Sequence, residues 1–394
     1  MNQGCTEENS VASGAEERVQ LPVENERVGA VERVDAVVVS LPFVTPFATS
    51  AATWTCKEAL LLRLEGDGVV AWGECVADPD PYYSPETVTT ARHVVVDFLL
   101  PLLRPDATLG ELLSAFARVR GHPMAKAAVE NALLDLMAKR RGVPLHTLLG
   151  WPRRPIPSGI SIGLKASPAE LLDEVGKAVA RGYHRVKIKV APGKDVEYVR
   201  AVRAAFPSLP LMVDANGAYT LNDVERLAQL DQFALMMIEQ PLSYSDIYEH
   251  SLLRRCLSTP LCLDESIASL ADARTALALE ACGVLNVKQG RVGGLVEAVR
   301  IATYAHARGV PVWCGGMDET GVGRAVNLHL QTVTGFTLPG DTSETSRYFL
   351  EDIAEPPVVL GTGGFIQVPA GAGIGVTVLP DRLERYTVRR ERVW

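Results

Sequence analysis

The stretch "RVKIKV", Arg185–Val190, sets two lysines among alternating aliphatic residues. In an extended strand Val186, Ile188 and Val190 share one face and Lys187 and Lys189 the other, because successive side chains point to opposite sides. The aliphatic face can pack on a helix, and the cationic face then needs anionic company. That company recurs along the chain. Lys189, Asp214, Glu239, Asp264 and Lys288 are separated by 25, 25, 25 and 24 residues, about one strand plus its return helix each time.

These charges lie at the ends of β-rich runs: "SGISIGL", "RVKIKV", "PLMVDAN", "ALMMIEQP", "PLCLDES", "VLNVKQG", "VPVWCGG" and, more faintly, "FTLPGD". Amphipathic segments such as "PAELLDEVGKAVARG", "LNDVERLAQL" and "GLVEAVRIATYAHARG" separate them. Strands and helices alternating evenly, without a reversal point, predict an α/β fold with a parallel TIM-type barrel over 158–345 rather than a doubly wound sheet. The C-terminal ends of barrel strands form one mouth, so the five charged groups converge there.

Upstream, "VDAVVVSL", "EALLLRLEG" and "VVAWGECV" read as a small antiparallel sheet. "SPETVTTARHVVVDFLLPLL" and "MAKAAVENALLDLMAKRRG" read as helices, the second closed by Gly142. Together they predict an α+β domain over 29–150, followed by the linker Trp151–Pro157, "WPRRPIP", with its three prolines. Residues 1–28 are polar and acidic, which predicts a disordered extension.

Composition excludes several classes. The 394 residues are 47% hydrophobic and 22% charged, enough for one large core or two smaller ones. No apolar run reaches the length of a membrane span, and the first residues carry no apolar signal core. A net charge of −8 without a basic cluster argues against nucleic acid. Seven scattered cysteines with no C-x-x-C pair argue against a disulfide framework or a structural zinc site, and suit a reducing cytoplasm. The expected partners are a small-molecule carboxylate substrate and further copies of this chain, with no nucleic acid and no membrane.

Three converging carboxylates repel one another unless compensated, and a hard divalent cation such as Mg²⁺ or Mn²⁺ is the simplest compensation for oxygen donors alone. Taken singly, each acid is also explained by an ion pair with a lysine or by capping the following helix. A cation flanked by amines suits removal of a proton α to a carboxylate, since the developing negative charge falls on oxygens already held by cations. In this reading Lys187 holds the substrate carboxylate. Lys189 and Lys288, from strands two and six, address opposite faces of the α-carbon, with neighbouring cations lowering the pKa of the base.

The segments "VKIKV", "VDANGAY", "IEQPL", "CLDES", "NVKQGRVGG" and "WCGGMDETGVGRA", with "PFATS", "WGECVADPDPYYSPET" and "MAKAAVENALLDLMAKRRGVPLHTLLG" upstream, resemble the enolase superfamily from about residue 30 to 380. Within it they resemble the muconate-lactonizing subgroup and its branch of o-succinylbenzoate synthases and N-succinylamino (N-acylamino) acid racemases. The resemblance implies a modified (β/α)7β barrel with an α+β capping domain that takes in part of 370–394. It implies Mg²⁺, replaceable by Mn²⁺ or another divalent cation, on Asp214, Glu239 and Asp264, with Lys189 and Lys288 as acid and base. Asn216 and Glu265 are implied beside the metal ligands, with Arg291 behind Lys288, and Ser161, Gly315, Gly316 and Met317 along the substrate pocket. A mobile lid is implied around Phe47–Trp54 and Asp78–Tyr83. The implied activities are dehydration to o-succinylbenzoate, a step of menaquinone biosynthesis, and racemisation of N-acylamino acids.

Two positions depart from the branch. Asp318 stands where an apolar residue is usual, and Val326 where histidine is common. Asp318 either points away from the pocket into an ion pair or alters the pocket for the substrate's tail. A dipeptide epimerase is less favoured because "LPGDTS" lacks a D-x-D pair, and Lys288 disfavours the His–Asp arrangement of mandelate racemases. Another muconate-lactonizing-subgroup enzyme, or a barrel that only binds, completes the alternatives.

Overall fold

The computed structural model describes residues 20–50 and 52–394. Strands Arg33–Ala48, Thr53–Gly66 and Val69–Cys75 form an antiparallel sheet, and the last strand, Thr387–Arg392, pairs along the free edge of the first. The chain thus returns to the cap after completing the barrel. The helix Pro123–Arg140 packs on this sheet and is buried on nearly every face, because the barrel covers its other side. Strand and helix approach so closely at Gly73 that a Cβ there would lie 2.0 Å from the Ala128 carbonyl oxygen. Only glycine fits such a contact.

Residues 1–19 of the extension expected over 1–28 lie outside the described residues. The expectation needs correction from Leu21 onward: Leu21, Val23 and Val28 are buried, and Glu24 meets Arg300 at 2.6 Å. Three apolar side chains in a polar stretch are enough to anchor it to the core.

The barrel contains seven parallel strands in sequential order: Gly159–Ile162, Arg185–Lys189, Leu211–Asp214, Ile238–Glu239, Leu261–Leu263, Val284–Val287 and Val312–Cys314. The eighth candidate, "FTLPGD", is not a regular strand. It makes single parallel bridges, Phe336 to Val312 and Gly340 to Ser158, and Gly159 N donates to Gly340 O at 2.7 Å. Pro339 has no N–H to give a ladder, so this segment joins the first strand to the last through isolated bonds. Inside the barrel, Met212, Met237, Cys262, Val284 and Trp313 form a separate apolar floor.

The linker Trp151–Pro157 is pinned. Ile156–Pro157 pairs with Phe365–Ile366, and Arg154 Nη2 donates to the carbonyls of Gln331 and Phe336. Among the described residues, the six cysteines are free thiols and no helix is long and apolar enough to cross a membrane.

Candidate active site

Register brings the charges level. Lys189 pairs with Asp214, and Asp214 with Glu239, on three adjacent strands. Alternation sends Val186 and Ile188 into the apolar core and Lys187 and Lys189 into the barrel. Lys187 Nζ lies 3.0 Å from Glu239 Oε2, 3.2 Å from Asp214 Oδ2 and 2.9 Å from Asp341 Oδ2. Lys189 Nζ donates to Asp214 Oδ2 and to Asn216 Oδ1, both at 2.6 Å. Asn216, held at φ 45°, passes the chain of contacts on by donating from Nδ2 to Glu265 Oε1 at 2.8 Å.

Across the mouth, Lys288 Nζ lies 2.8 Å from Asp264 Oδ2 and donates to the Tyr83 phenol at 2.9 Å. Arg291 is buried. Its Nη1 pairs with Asp264 Oδ1, its Nη2 donates to Asn286 O at 2.6 Å and its Nε to Ile267 O at 2.9 Å. It therefore reaches Lys288 through the shared carboxylate of Asp264. Asn286 donates to Glu239 Oε1 at 2.6 Å, so all three carboxylates belong to one network.

These surroundings set the ionisation states. Burial alone would raise the Asp214 carboxyl, but Lys189 and Lys187 outweigh it and hold the group well below the usual range. Burial and the Asp214 charge raise Glu239, and the same two causes raise Glu265. Burial tends to lower Lys288, but Tyr83, Glu265 and Glu239 outweigh that and raise it. Carboxylates and a phenol surround this ammonium.

Between barrel and cap lies a cavity whose wall includes Lys187, Lys189, Asn216, Glu265 and Lys288. Of the expected pocket residues, Ser161, Gly316 and Met317 are also on the wall. Ser161 Oγ donates to Asp341 Oδ2 at 2.9 Å. Gly315 lies behind the wall, where a Cβ would sit 2.7 Å from Lys288 Cε. Its role is to let that lysine pass. Asp214, Glu239, Asp264 and Arg291 are buried and lie off the wall. From the cap come Phe43, Phe47, Trp54, Lys57 and Tyr83, and the lid segments are tied together by Trp54 Nε1 donating to Asp80 Oδ2 at 3.2 Å.

Asp318 is on the cavity wall, at φ 53°, with neither ion pair nor hydrogen bond from its side chain among the described residues. The reading that turned it away into an ion pair is corrected. Val326 is fully buried in helix Gly321–Leu330. Asp341 escaped the sequence reading. It accepts from Arg185 Nη2 at 2.5 Å as well as meeting Lys187, and these cations hold its carboxyl far down despite burial. An acid closing the faint run "FTLPGD", at the same strand-end position as the others, was the available signal.

The donor set fits a hard cation in its chemistry: carboxylate oxygens from adjacent strands, with Glu265 Oε2 buried and free of hydrogen bonds among the described residues. As the side chains stand, ammonium and guanidinium groups supply the positive charge, and among the described residues no three acidic, histidine or cysteine side chains form a ready cage.

Two family models cover most of the chain: the mandelate racemase / muconate lactonizing enzyme N-terminal domain over residues 33–150 and the enolase C-terminal domain-like family over 170–382. The o-succinylbenzoate synthase of Geobacillus kaustophilus is 51% identical over 87% of this chain and 92% of its own. The N-succinylamino acid racemase of an Amycolatopsis species is 45% identical over 90% and 96%. A crystal structure of an enolase superfamily member from Listeria innocua, 40% identical, superposes with a TM-score of 0.88 over 92% of this chain and 98% of that one. The chain belongs to the mandelate racemase / muconate lactonizing enzyme family of the enolase superfamily, among relatives named o-succinylbenzoate synthase and N-succinylamino acid racemase.

Proposed function

We propose that this protein moves a proton on the carbon next to a substrate carboxylate, as an o-succinylbenzoate synthase, an N-acylamino acid racemase, or both. The observation that carries the reading is the placement of Lys189 and Lys288: they come from the second and sixth strands and line one cavity, with Asn216 and Glu265 on the same wall.

A divalent cation such as Mg²⁺ on Asp214, Glu239 and Asp264 would supply positive charge to the substrate carboxylate and so acidify the α-proton. Lys187, kept protonated by Asp341, Glu239 and Asp214, adds fixed positive charge at the same end. In racemisation the neutral lysine on one face takes the α-proton while the ammonium on the other face returns one. In dehydration Lys189 takes the α-proton and gives it to the departing hydroxyl, while Lys288 stays protonated and steadies the negative charge. The anions around Lys288 suit this donor role. Arg291 tempers it, since its guanidinium competes with Lys288 for Asp264.

The test is an assay of purified protein for both dehydration to o-succinylbenzoate and racemisation of N-succinylamino acids, with Mg²⁺ or Mn²⁺ supplied. Activity in neither assay, and no exchange of α-protons into D₂O, would end this reading.

A further inference from the structure

The cap end of the cavity carries an arrangement that proton transfer does not use. Lys57, from the second cap strand, is buried to 3% exposure yet lines the cavity. Its Nζ donates to Val76 O and to Asp78 Oδ1, each at 3.0 Å. An ammonium has three donors, so one N–H has no partner among the described residues. On the wall of the same cavity stands Asp318, just after the seventh strand, whose carboxylate accepts no hydrogen bond among the described residues. Lys57 is the charge that most stabilises the Asp318 carboxylate, but the two do not close an ion pair. A gap thus separates one free donor from one free acceptor.

We propose that Asp318 and Lys57 together select a substrate arm ending in a carboxamide, whose carbonyl accepts from Lys57 and whose N–H donates to Asp318, in preference to an arm ending in a carboxylate.

The match is chemical and directional. A primary amide offers an acceptor and a donor side by side, the complement of what the wall presents. A carboxylate of the same shape offers acceptors only, and it would face Asp318 and Asp78, with Lys57 the one cap cation among the described residues of the wall. Glu319 adds to that negative charge, and Lys189, farther along the wall, offsets part of it. A site that hydrogen-bonds a substrate N–H discriminates strongly against an analogue lacking it, because its own buried polar group is then left unpaired. The inference rests on the proton-transfer reading above and narrows it towards acylamino acids with carboxamide-bearing arms.

The test compares isosteric pairs: N-succinamoyl- with N-succinyl-phenylalanine, and N-acetylglutamine with N-acetylglutamate. Turnover is read as α-proton exchange in D₂O with Mg²⁺, and binding separately as quenching of tryptophan fluorescence, Trp54 being on the wall. In the pair whose arm reaches the cap, the carboxamide should be favoured about tenfold or more in kcat/KM and in affinity. Asp318→Asn, which tolerates the positive φ, should raise the carboxylate substrate about tenfold by removing the repulsion. Asp318→Gly, free of backbone strain at this φ, should lower the carboxamide substrate by a similar factor. Equal or better turnover and binding of the carboxylate arm in both pairs, or a preference unchanged in both variants, overturns the inference while leaving the proton-transfer reading intact. Selective binding of the carboxamide without any exchange supports the inference and defeats that reading.

Discussion

Tyr83 of the cap touches Lys288 of the barrel twice: its phenol oxygen is 2.9 Å from Nζ, and its ring centroid is 4.6 Å from the same atom. The two residues are 205 positions apart. The first prediction separates the two contacts. Tyr83→Phe keeps the cation over the ring and loses the hydrogen bond, so proton exchange on the face served by Lys288 should fall about 3–10-fold. Tyr83→Ala loses both and should fall further. Exchange of the opposite enantiomer, served by Lys189, should change less; equal losses for both enantiomers would show that Tyr83 acts on the whole cavity.

Exchanging lysine for arginine tests the pair itself. Guanidinium is effectively never deprotonated, so Lys189→Arg and Lys288→Arg should each abolish racemisation. Lys288→Arg should keep some dehydration activity, since a cation remains there, while Lys189→Arg should lose about 10²–10⁴-fold. The discriminating measurement is the ratio of the two activities in each variant.

Asp214→Asn, Glu239→Gln and Asp264→Asn should each weaken Mg²⁺ binding in isothermal titration. Chelation should stop turnover, and Mg²⁺ or Mn²⁺ should restore it. Tight Mg²⁺ binding by all three variants would assign these carboxylates to the ion pairs alone.

Asp341→Asn should destabilise the fold by about 3–5 kcal/mol, because Arg185 and Lys187 would lose the carboxylate that compensates them inside the barrel. Arg185 stacks 4.7 Å from the centroid of the Trp313 ring, so near-ultraviolet circular dichroism should report the loss as well as the melting temperature.

Stability should also depend on pH through the junction of cap and barrel. Glu74 accepts from Thr320 N, Thr320 Oγ1 and Gly323 N, yet burial lifts its carboxyl from 4.5 to about 7. A raised folded-state value means that the folded protein binds the extra proton. The associated stability is therefore complete below about pH 4.5 and is lost as pH rises through about 7. Glu74→Gln should flatten this part of the melting-temperature profile, removing a change on the order of 1–3 kcal/mol. An unchanged slope in the variant would exclude Glu74 as its source.

The barrel and its five strand-end charges were legible because each rests on a local pattern repeated at one period. Lys187 and Lys189 alternate with aliphatic neighbours, and Asp214, Glu239, Asp264 and Lys288 follow at nearly equal steps. Asp341 was hidden because Pro339 and Gly340 break the pattern before it. Tyr83 was visible only as part of a lid, since nothing near "DPYYSP" announces a contact with Lys288. The packing of Leu21–Val28 was missed because composition averages over a stretch, whereas burial depends on three particular side chains. Asp318 was noticed for its type, but its direction depends on a backbone turn at φ 53° that no periodicity encodes.

The cavity is assembled from two separate lengths of chain. The lysines and carboxylates stand at or just past the ends of short parallel strands, while Phe43, Phe47, Trp54, Lys57 and Tyr83 belong to the cap. Inheritance can therefore edit the guest list and the chemistry independently: a changed cap hairpin admits a different molecule to an unchanged pair of lysines. Tyr83 is the exception, a cap residue whose replacement alters both, and laboratory evolution for new substrates should leave it in place while the rest of the cap wall turns over.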